Sequence, residues 1–262
     1  MRLTGGEIIA ELLIQAGVPY VVGIPGHGNI ALVDALRMRS DRIRVLQPLH
    51  ESGAVHLADG YYRASGRPLA ALTSIGPGAL NTAIGLATAY VDSTAVLVFT
   101  GETHVHMFGV GVLQEVERHT DAANWRVLEP VSKRHFMALQ ARQIPRIMSR
   151  AFNQMLTGRP GPVTVGLPMD VQADMVDLPD APQPRARRPH DRPAGDPAAL
   201  QQAARLLASC LLYTSDAADE PLCVDPGGRR FIKKKKHIPG QTTQFKIAQL
   251  DIQTTIETQR NQ

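Results

Sequence analysis

From its start to about Val176 the chain alternates short runs of β-branched and aliphatic residues with longer stretches whose apolar positions recur every three or four residues. Gly, Pro, Asn or Asp stand at the turns between them. Strand-length and helix-length patterns taking turns in this way predict a parallel sheet with crossover helices. Ile8, Ile9, Leu12 and Leu13 share one face of a helix over 4–15, which Gly17 closes, and a strand over 20–24 follows. The same reading gives a helix over 29–38, a strand over 43–46, a helix over 51–64, a strand over 69–74, a helix over 78–90 and a strand over 95–100. After a glycine-rich loop it gives a short helix near Val116, a strand around Val127, a helix over 141–156 and a strand over 163–167. The expected fold is α/β: one doubly wound, mainly parallel sheet flanked by helices, spanning residues 1–177.

Beyond that the composition shifts. Residues 178–197 turn to Pro, Arg and Asp, which cannot form a core, and are expected to be an extended interdomain linker. Asp196 then caps a helical stretch, and residues 198–209 are expected to begin a second domain that is cut short. The run CLLYTSDAADE, residues 210–220, resembles a translated sequencing-library adaptor, and the resemblance continues to about Lys236. Residues 210–262 are therefore expected to be non-biological and are set aside from the fold. The rival reading is a genuine basic tail whose Lys233 to Lys236 meet phosphates.

The formal net charge of +4 falls to +2 without that tail, too little for a nucleic-acid surface. Both cysteines, Cys210 and Cys223, also lie in the tail, so the rest has no thiol for a disulfide, a zinc site or nucleophilic catalysis. The start, Met1 to Gly6, has no apolar stretch behind a basic segment, and no run approaches the ~18 apolar residues of a membrane span. A cytoplasmic protein without membrane partners is expected.

In an open α/β sheet the ligand edge lies beyond the carboxyl ends of the strands. The segments expected there are Ile24-Pro25-Gly26-His27-Gly28-Asn29, Leu49-His50-Glu51, Ile75-Gly76-Pro77-Gly78-Ala79-Leu80-Asn81, the stretch from Gly101 to Glu115 ending Val112-Leu113-Gln114-Glu115, and Pro130-Val131-Ser132-Lys133, all at one edge. Each has an ordinary reading when taken alone. Glu51 in the first turn of a helix is favoured by the helix dipole whatever its task. Gly76-Pro77-Gly78 is a good tight turn with Pro opening a helix. His104 and His106 have no third metal ligand at a helical or strand spacing, and Gly23 to Gly28 lacks the Lys-Ser/Thr of a phosphate-binding loop.

Order and spacing add what single segments lack. The run HESGAVHLADGYYRASGRPLAALTSIGPGALNTAIGLATAYVDS resembles the pyrimidine-domain signature of the thiamine-diphosphate-dependent enzymes. In that signature His-Glu opens a helix containing Ala-Asp-Gly-Tyr-x-Arg, a strand follows, and Gly-Pro-Gly-x-x-Asn begins the next helix. Ala58, Asp59, Gly60, Tyr61, Arg63, Gly76, Pro77, Gly78 and Asn81 match it. Gly23-Ile24-Pro25-Gly26 resembles the family's Gly-x-Pro-Gly turn, and Gln114-Glu115 and Lys133 resemble elements of its acetolactate synthases, so that the similarity runs over residues 3–176. The synthases usually carry Phe before that Gln-Glu, whereas Leu113 stands here, and His104-Val105-His106 is not typical of them. The expectation therefore widens to decarboxylases and carboligases of 2-keto acids.

The resemblance implies thiamine diphosphate as cofactor, with Glu51 as the carboxyl that activates it and Gln114 as a second catalytic side chain. It implies that Ile24, Pro25, Gly26, Pro77 and Asn81 border the aminopyrimidine, and that Leu113 and Lys133 line the substrate entry. It places the Mg²⁺ and diphosphate ligands in a separate C-terminal domain, through a Gly-Asp-Gly that this chain lacks. The resemblance leaves room for FAD as a further cofactor. Shared pockets between subunits imply a homodimer or homotetramer of the full-length form, and a fragment that is inactive alone. The alternative is a split-subunit or non-catalytic domain that works only with a separate partner chain.

Overall fold

Strand β1 (Arg2–Thr4) runs straight into helix α1 (Gly5–Gln15), and Thr4 sets the join. Its Oγ1 accepts from the Glu7 N–H at 3.1 Å while the Glu7 carboxylate accepts from the Thr4 N–H at 2.8 Å. This reciprocal cap satisfies two donors that a helix start leaves open. In this computed structural model, which describes residues 1–111, 114–115, 124–178 and 195–209, strands and helices then alternate as the hydrophobic pattern predicts.

Strand β2 (Tyr20–Gly23) is followed by a tight 3-10 turn at His27–Asn29, helix α2 (Ile30–Arg37) and strand β3 (Arg44–Leu46). Helix α3 (Glu51–Ser65), strand β4 (Ala70–Thr73), helices α4 (Pro77–Leu80) and α5 (Ala83–Val91), and strand β5 (Leu97–Glu102) come next. Strand β6 (Arg134–Met137), helix α6 (Ile144–Leu156), strand β7 (Val163–Pro168), helix α7 (Met169–Ala173) and strand β8 (Met175–Asp177) complete the first unit. Six strands form one wholly parallel sheet in the order β3-β2-β4-β5-β7-β6, while β1 and β8 pair antiparallel as a small separate ribbon.

Strands β4, β5 and β7 are buried at every position, as expected of central strands covered by helices on both faces. Helix α6 shows how the cover is made: Ile144, Met148, Ala151, Phe152 and Met155 recur at helical spacing and are all buried, leaving its arginines to solvent. The chain thus has the expected α/β doubly wound architecture.

Several elements differ from the sequence reading. The single helix over 78–90 is broken at Asn81 and Thr82, where the Thr82 Oγ1 donates to the Ala79 carbonyl at 2.6 Å and its N–H to the same oxygen at 3.1 Å, tightening the turn. Around Val127 there is no strand but a 3-10 turn, Asn124–Val127, since Pro130 just beyond removes a ladder donor. The edge strand is instead β6, whose sequence Arg-His-Phe-Met is only partly apolar. Strands β1 and β8 and helix α7 run three to five residues, too short for a hydrophobic period to show. The short helix expected near Val116 lies outside the described residues.

A second unit covers Arg192–Gln262, and its described part is helix α8 (Pro197–Ser209). The Asp196 carboxylate accepts from the Ala198 N–H at 3.3 Å, the cap that the sequence predicts. Most of the expected linker, 179–194, and all of 210–262 lie outside the described residues. No helix among the described residues is long and apolar enough to cross a membrane.

Candidate active site

The chain leaves β2 toward β3 on one side and returns to β4 on the other, so the strand order reverses between β2 and β4. Ligands of open α/β sheets bind at such a reversal, outside the carboxyl ends of the strands. The turn after β2 is built to sit there. Asn29, 3% exposed, folds back on it: its Nδ2 donates to the Ile24 carbonyl at 3.0 Å and its Oδ1 accepts from the Gly26 N–H at 2.9 Å. Ile24, Pro25 and Gly26 are thereby held in one arrangement with Pro25 exposed.

The turn is bolted to the strands beside it. The Gly28 N–H donates to Ser74 Oγ at 3.1 Å, just past β4. Gly28 also packs on Gly101 of β5 so closely that a Cβ on Gly101 would stand 2.5 Å from the Gly28 carbonyl oxygen, which is why both positions require glycine. Gln172, 1% exposed, completes the fixture from α7. Its Nε2 donates to the carbonyls of Gly28 at 2.6 Å and Leu167 at 2.8 Å, and its Oε1 accepts from the Leu32 N–H at 3.3 Å.

Glu51 opens α3, with His50 as the N-cap: the His50 Nδ1 accepts from the Ser52 N–H at 3.2 Å. The carboxylate is half-buried, and its Oε2 accepts from Asn81 Nδ2 at 2.9 Å. Its other oxygen faces Gly78, where an added Cβ would stand 3.3 Å away. Helix α4, opened by Pro77, therefore sets a close-packed glycine at position 78 and an amide at Asn81 against one carboxyl group. No cation pairs with Glu51 among the described residues.

The turn at 24–29, Glu51 and the segment 74–81 thus meet at the carboxyl edge, and Gly101 packs beneath them. Gln114 lies on the loop that leaves β5; it is exposed, with backbone φ at +66°, and no hydrogen bond joins it to Glu51 or Asn81. Leu113 lies outside the described residues. The segment Pro130 to Lys133 corrects the expectation of a single edge. It precedes β6, and the Lys133 N–H donates to the Pro162 carbonyl at 2.8 Å, so it stands at the amino end of the parallel sheet, opposite Glu51.

The Lys133 side chain has another partner set. Its Nζ donates to the carbonyls of Thr157 at 2.7 Å and Arg159 at 2.6 Å, capping the carboxyl end of α6, and burial holds the amine below the usual lysine range. The Lys133 amine is thereby tied to the end of α6. His104 and His106 lie with ring centroids 5.6 Å apart, and no group of three or more metal-ligating side chains occurs among the described residues. Sequence reasoning placed Asn29 and Gly101 at this edge without their part in holding the turn, and missed Ser74 and Gln172. Asn29 sits three residues after Gly26 and could have been found as a local turn lock, whereas Gln172 reaches Gly28 from 144 residues away and leaves no local trace.

Residues 3–123 match the family model described as thiamine pyrophosphate enzyme, N-terminal TPP binding domain. The chain is 33% identical over 224 residues to an acetolactate synthase of Arthrospira platensis, covering 83% of this chain and 38% of that protein. It is 36% identical over 209 residues to a probable acetolactate synthase large subunit of Methanocaldococcus jannaschii, covering 79% of this chain and 34% of the relative. With the acetolactate synthase isozyme 1 large subunit of Escherichia coli it shares 32% identity over 227 residues, 87% of this chain and 37% of the other. The chain thus spans little more than a third of the length of these relatives. Its first unit is an acetolactate synthase-like N-terminal TPP binding domain of the thiamine-diphosphate-dependent enzymes.

Proposed function

We propose that this chain is the pyrimidine-binding part of a thiamine-diphosphate-dependent decarboxylase or carboligase acting on 2-keto acids, with Glu51 as its cofactor-activating carboxyl group. The observation that carries the reading is the Glu51 carboxylate at the strand-order reversal, with one oxygen held by Asn81 and the other lying against the bare Cα of Gly78, where a Cβ would stand 3.3 Å from it. A flat heterocycle with a ring nitrogen fits this donor set: a carboxyl without a competing cation, beside a backbone stripped of a side chain at Gly78.

When bound, thiamine diphosphate supplies a thiazolium carbon that becomes a nucleophile toward a keto carbonyl once its proton is removed. The protein's part is to hold and tune. Asn81 fixes Glu51 Oε2, which leaves Oε1 as the atom to hold the proton shared with a pyrimidine nitrogen. A carboxyl can share that proton where an amide of the same shape lacks an acidic one. Ile24, Pro25 and Gly26, fixed by Asn29, form one border of the ring site, and Pro77 the other. Gln114, exposed on its loop, serves the substrate side.

The Mg²⁺ and diphosphate ligands, and FAD where it is used, belong in this reading to sequence outside the 262 residues. The working form is a cytoplasmic homodimer or homotetramer, and the chain by itself is inactive. The test is expression of the uninterrupted gene and assay of 2-keto acid turnover with Mg²⁺ and thiamine diphosphate. Glu51→Gln lowers turnover by roughly 10²- to 10⁴-fold, the scale of lost acid/base help. Near-normal turnover in that variant refutes the assignment.

A further inference from the structure

Glu115 follows Gln114 on the loop that leaves β5, and the two side chains go opposite ways: Glu115 is 7% exposed while Gln114 is turned to solvent. The Glu115 carboxylate accepts from the Gly109 N–H at 2.8 Å through Oε1 and from the Gly111 N–H at 2.6 Å through Oε2. Bonds from backbone N–H to an ionised carboxylate are about twice as strong as neutral ones. Both glycines have φ at +77°, and Gln114 itself stands at +66°. For a residue with a side chain that backbone costs of order 1–3 kcal/mol and persists only where its surroundings impose it.

The loop is held at its other end by a carboxylate as well. Asp170, in α7, accepts from the Val105 N–H through both oxygens, at 3.2 and 3.1 Å. Between these two anchors Gly109, Gly111 and Gln114 take left-handed backbone. Glu115 is the buried group whose bonds reach back to both glycines, and it adjoins the strained residue.

We propose that Glu115 is a positioning residue that clamps the Gly109–Gly111 turn and so fixes Gln114 in its left-handed backbone, side chain turned out of the loop. The proposal rests on the reading of Gln114 as a substrate-side group of the site proposed above. Glu115 acts through Gln114, its own oxygens being taken by the two glycine N–H groups.

The test uses the full 262-residue chain and requires neither cofactor nor turnover. A nitroxide label is attached at Gln114→Cys in a Cys210→Ser, Cys223→Ser background, and its line shape is read beside amide hydrogen exchange at Gly109 and Gly111. In the Glu115 chain the label is slow. In Glu115→Gln its correlation time shortens at least threefold and exchange at both glycines quickens at least tenfold, while amides of β4 and β5 keep their protection. Glu115→Asp, which keeps the charge on a shorter stem, gives intermediate values. A fast label in the Glu115 chain, or unchanged exchange at both glycines in Glu115→Gln, overturns the clamp. Where Glu115→Gln loses protection in β4 and β5 as well, Glu115→Asp decides by the same two readouts, unchanged exchange again counting against it. An intact clamp in an enzyme whose Glu51→Gln variant turns over normally refutes the site reading alone.

Discussion

Asn81 Nδ2 donates to Glu51 Oε2 at 2.9 Å, joining the end of α4 to the first turn of α3 across the carboxyl edge of the sheet. The bond decides which carboxylate oxygen is available. Asn81→Ala removes one hydrogen bond to a charged group at a partly solvated site, about 1 kcal/mol, so turnover of the full-length enzyme falls about fivefold. Asn81→Asp sets a second carboxylate against the first, and two such groups share a proton rather than both ionising, so turnover falls further, by more than about tenfold. Steady-state turnover of both variants checks the order; an Asn81→Asp enzyme faster than Asn81→Ala contradicts the pairing.

Gly78 separates stability from function. A Cβ there would stand 2.9 Å from Thr73 Oγ1 and 3.3 Å from Glu51 Oε1. Alanine is the better helix former by about 1 kcal/mol, which offsets the crowding in the folded chain. Gly78→Ala therefore keeps the urea midpoint close to that of the parent while pushing the carboxylate off its position, with a loss of turnover of about tenfold, the scale of a misplaced catalytic group. Paired denaturation and kinetics test this, and full activity would mean that Oε1 does not need the space.

Much of this edge is legible in the sequence because its parts are local. His50-Glu51 at a helix start, Gly76-Pro77-Gly78 after a strand and the turn after β2 each announce themselves by turn and cap chemistry within a few residues. The edge to which a segment belongs is not local. Lys133 looks like a residue following a strand until β6 is found to begin at Arg134, and a partly apolar edge strand gives too weak an alternation to show that. The partners of Gly28 lie at Ser74, Gly101 and Gln172, and only the parallel register of β2, β4, β5 and β7 brings them together.

Gln172 carries the largest stability prediction. Its amide serves two buried carbonyls and one N–H, groups that belong to the turn, to β7 and to α2. Gln172→Leu leaves all three without this partner, and at 1–3 kcal/mol for an unsatisfied buried group the loss is about 3 kcal/mol. Gln172→Glu fails worse, since a carboxylate cannot donate to the Gly28 and Leu167 carbonyls. Urea denaturation gives the ranking, parent above Gln172→Leu above Gln172→Glu, and a Gln172→Leu chain as stable as the parent rules out the bolt.

His135 gives the fold a defined response to acid. It sits in β6 with Nδ1 2.8 Å from Thr164 Oγ1 of β7, and burial lowers its pKa from 6.5 to about 4. Between those values the unfolded chain takes up a proton that the folded chain refuses. The stability tied to the neutral ring is therefore complete above about pH 6.5, is lost as pH falls through the window, and changes no further below about pH 4. A gap of this size is worth about 2 kcal/mol between pH 7 and pH 4.5. His135→Asn keeps a polar group of similar reach beside Thr164 and does not titrate, so its stability difference between those two pH values is smaller than the parent's by that amount. Carboxylates elsewhere shift both chains alike and cancel in the comparison. Equal differences in the two chains would mean that the imidazole is solvated, and that β6 does not lie on β7 as described.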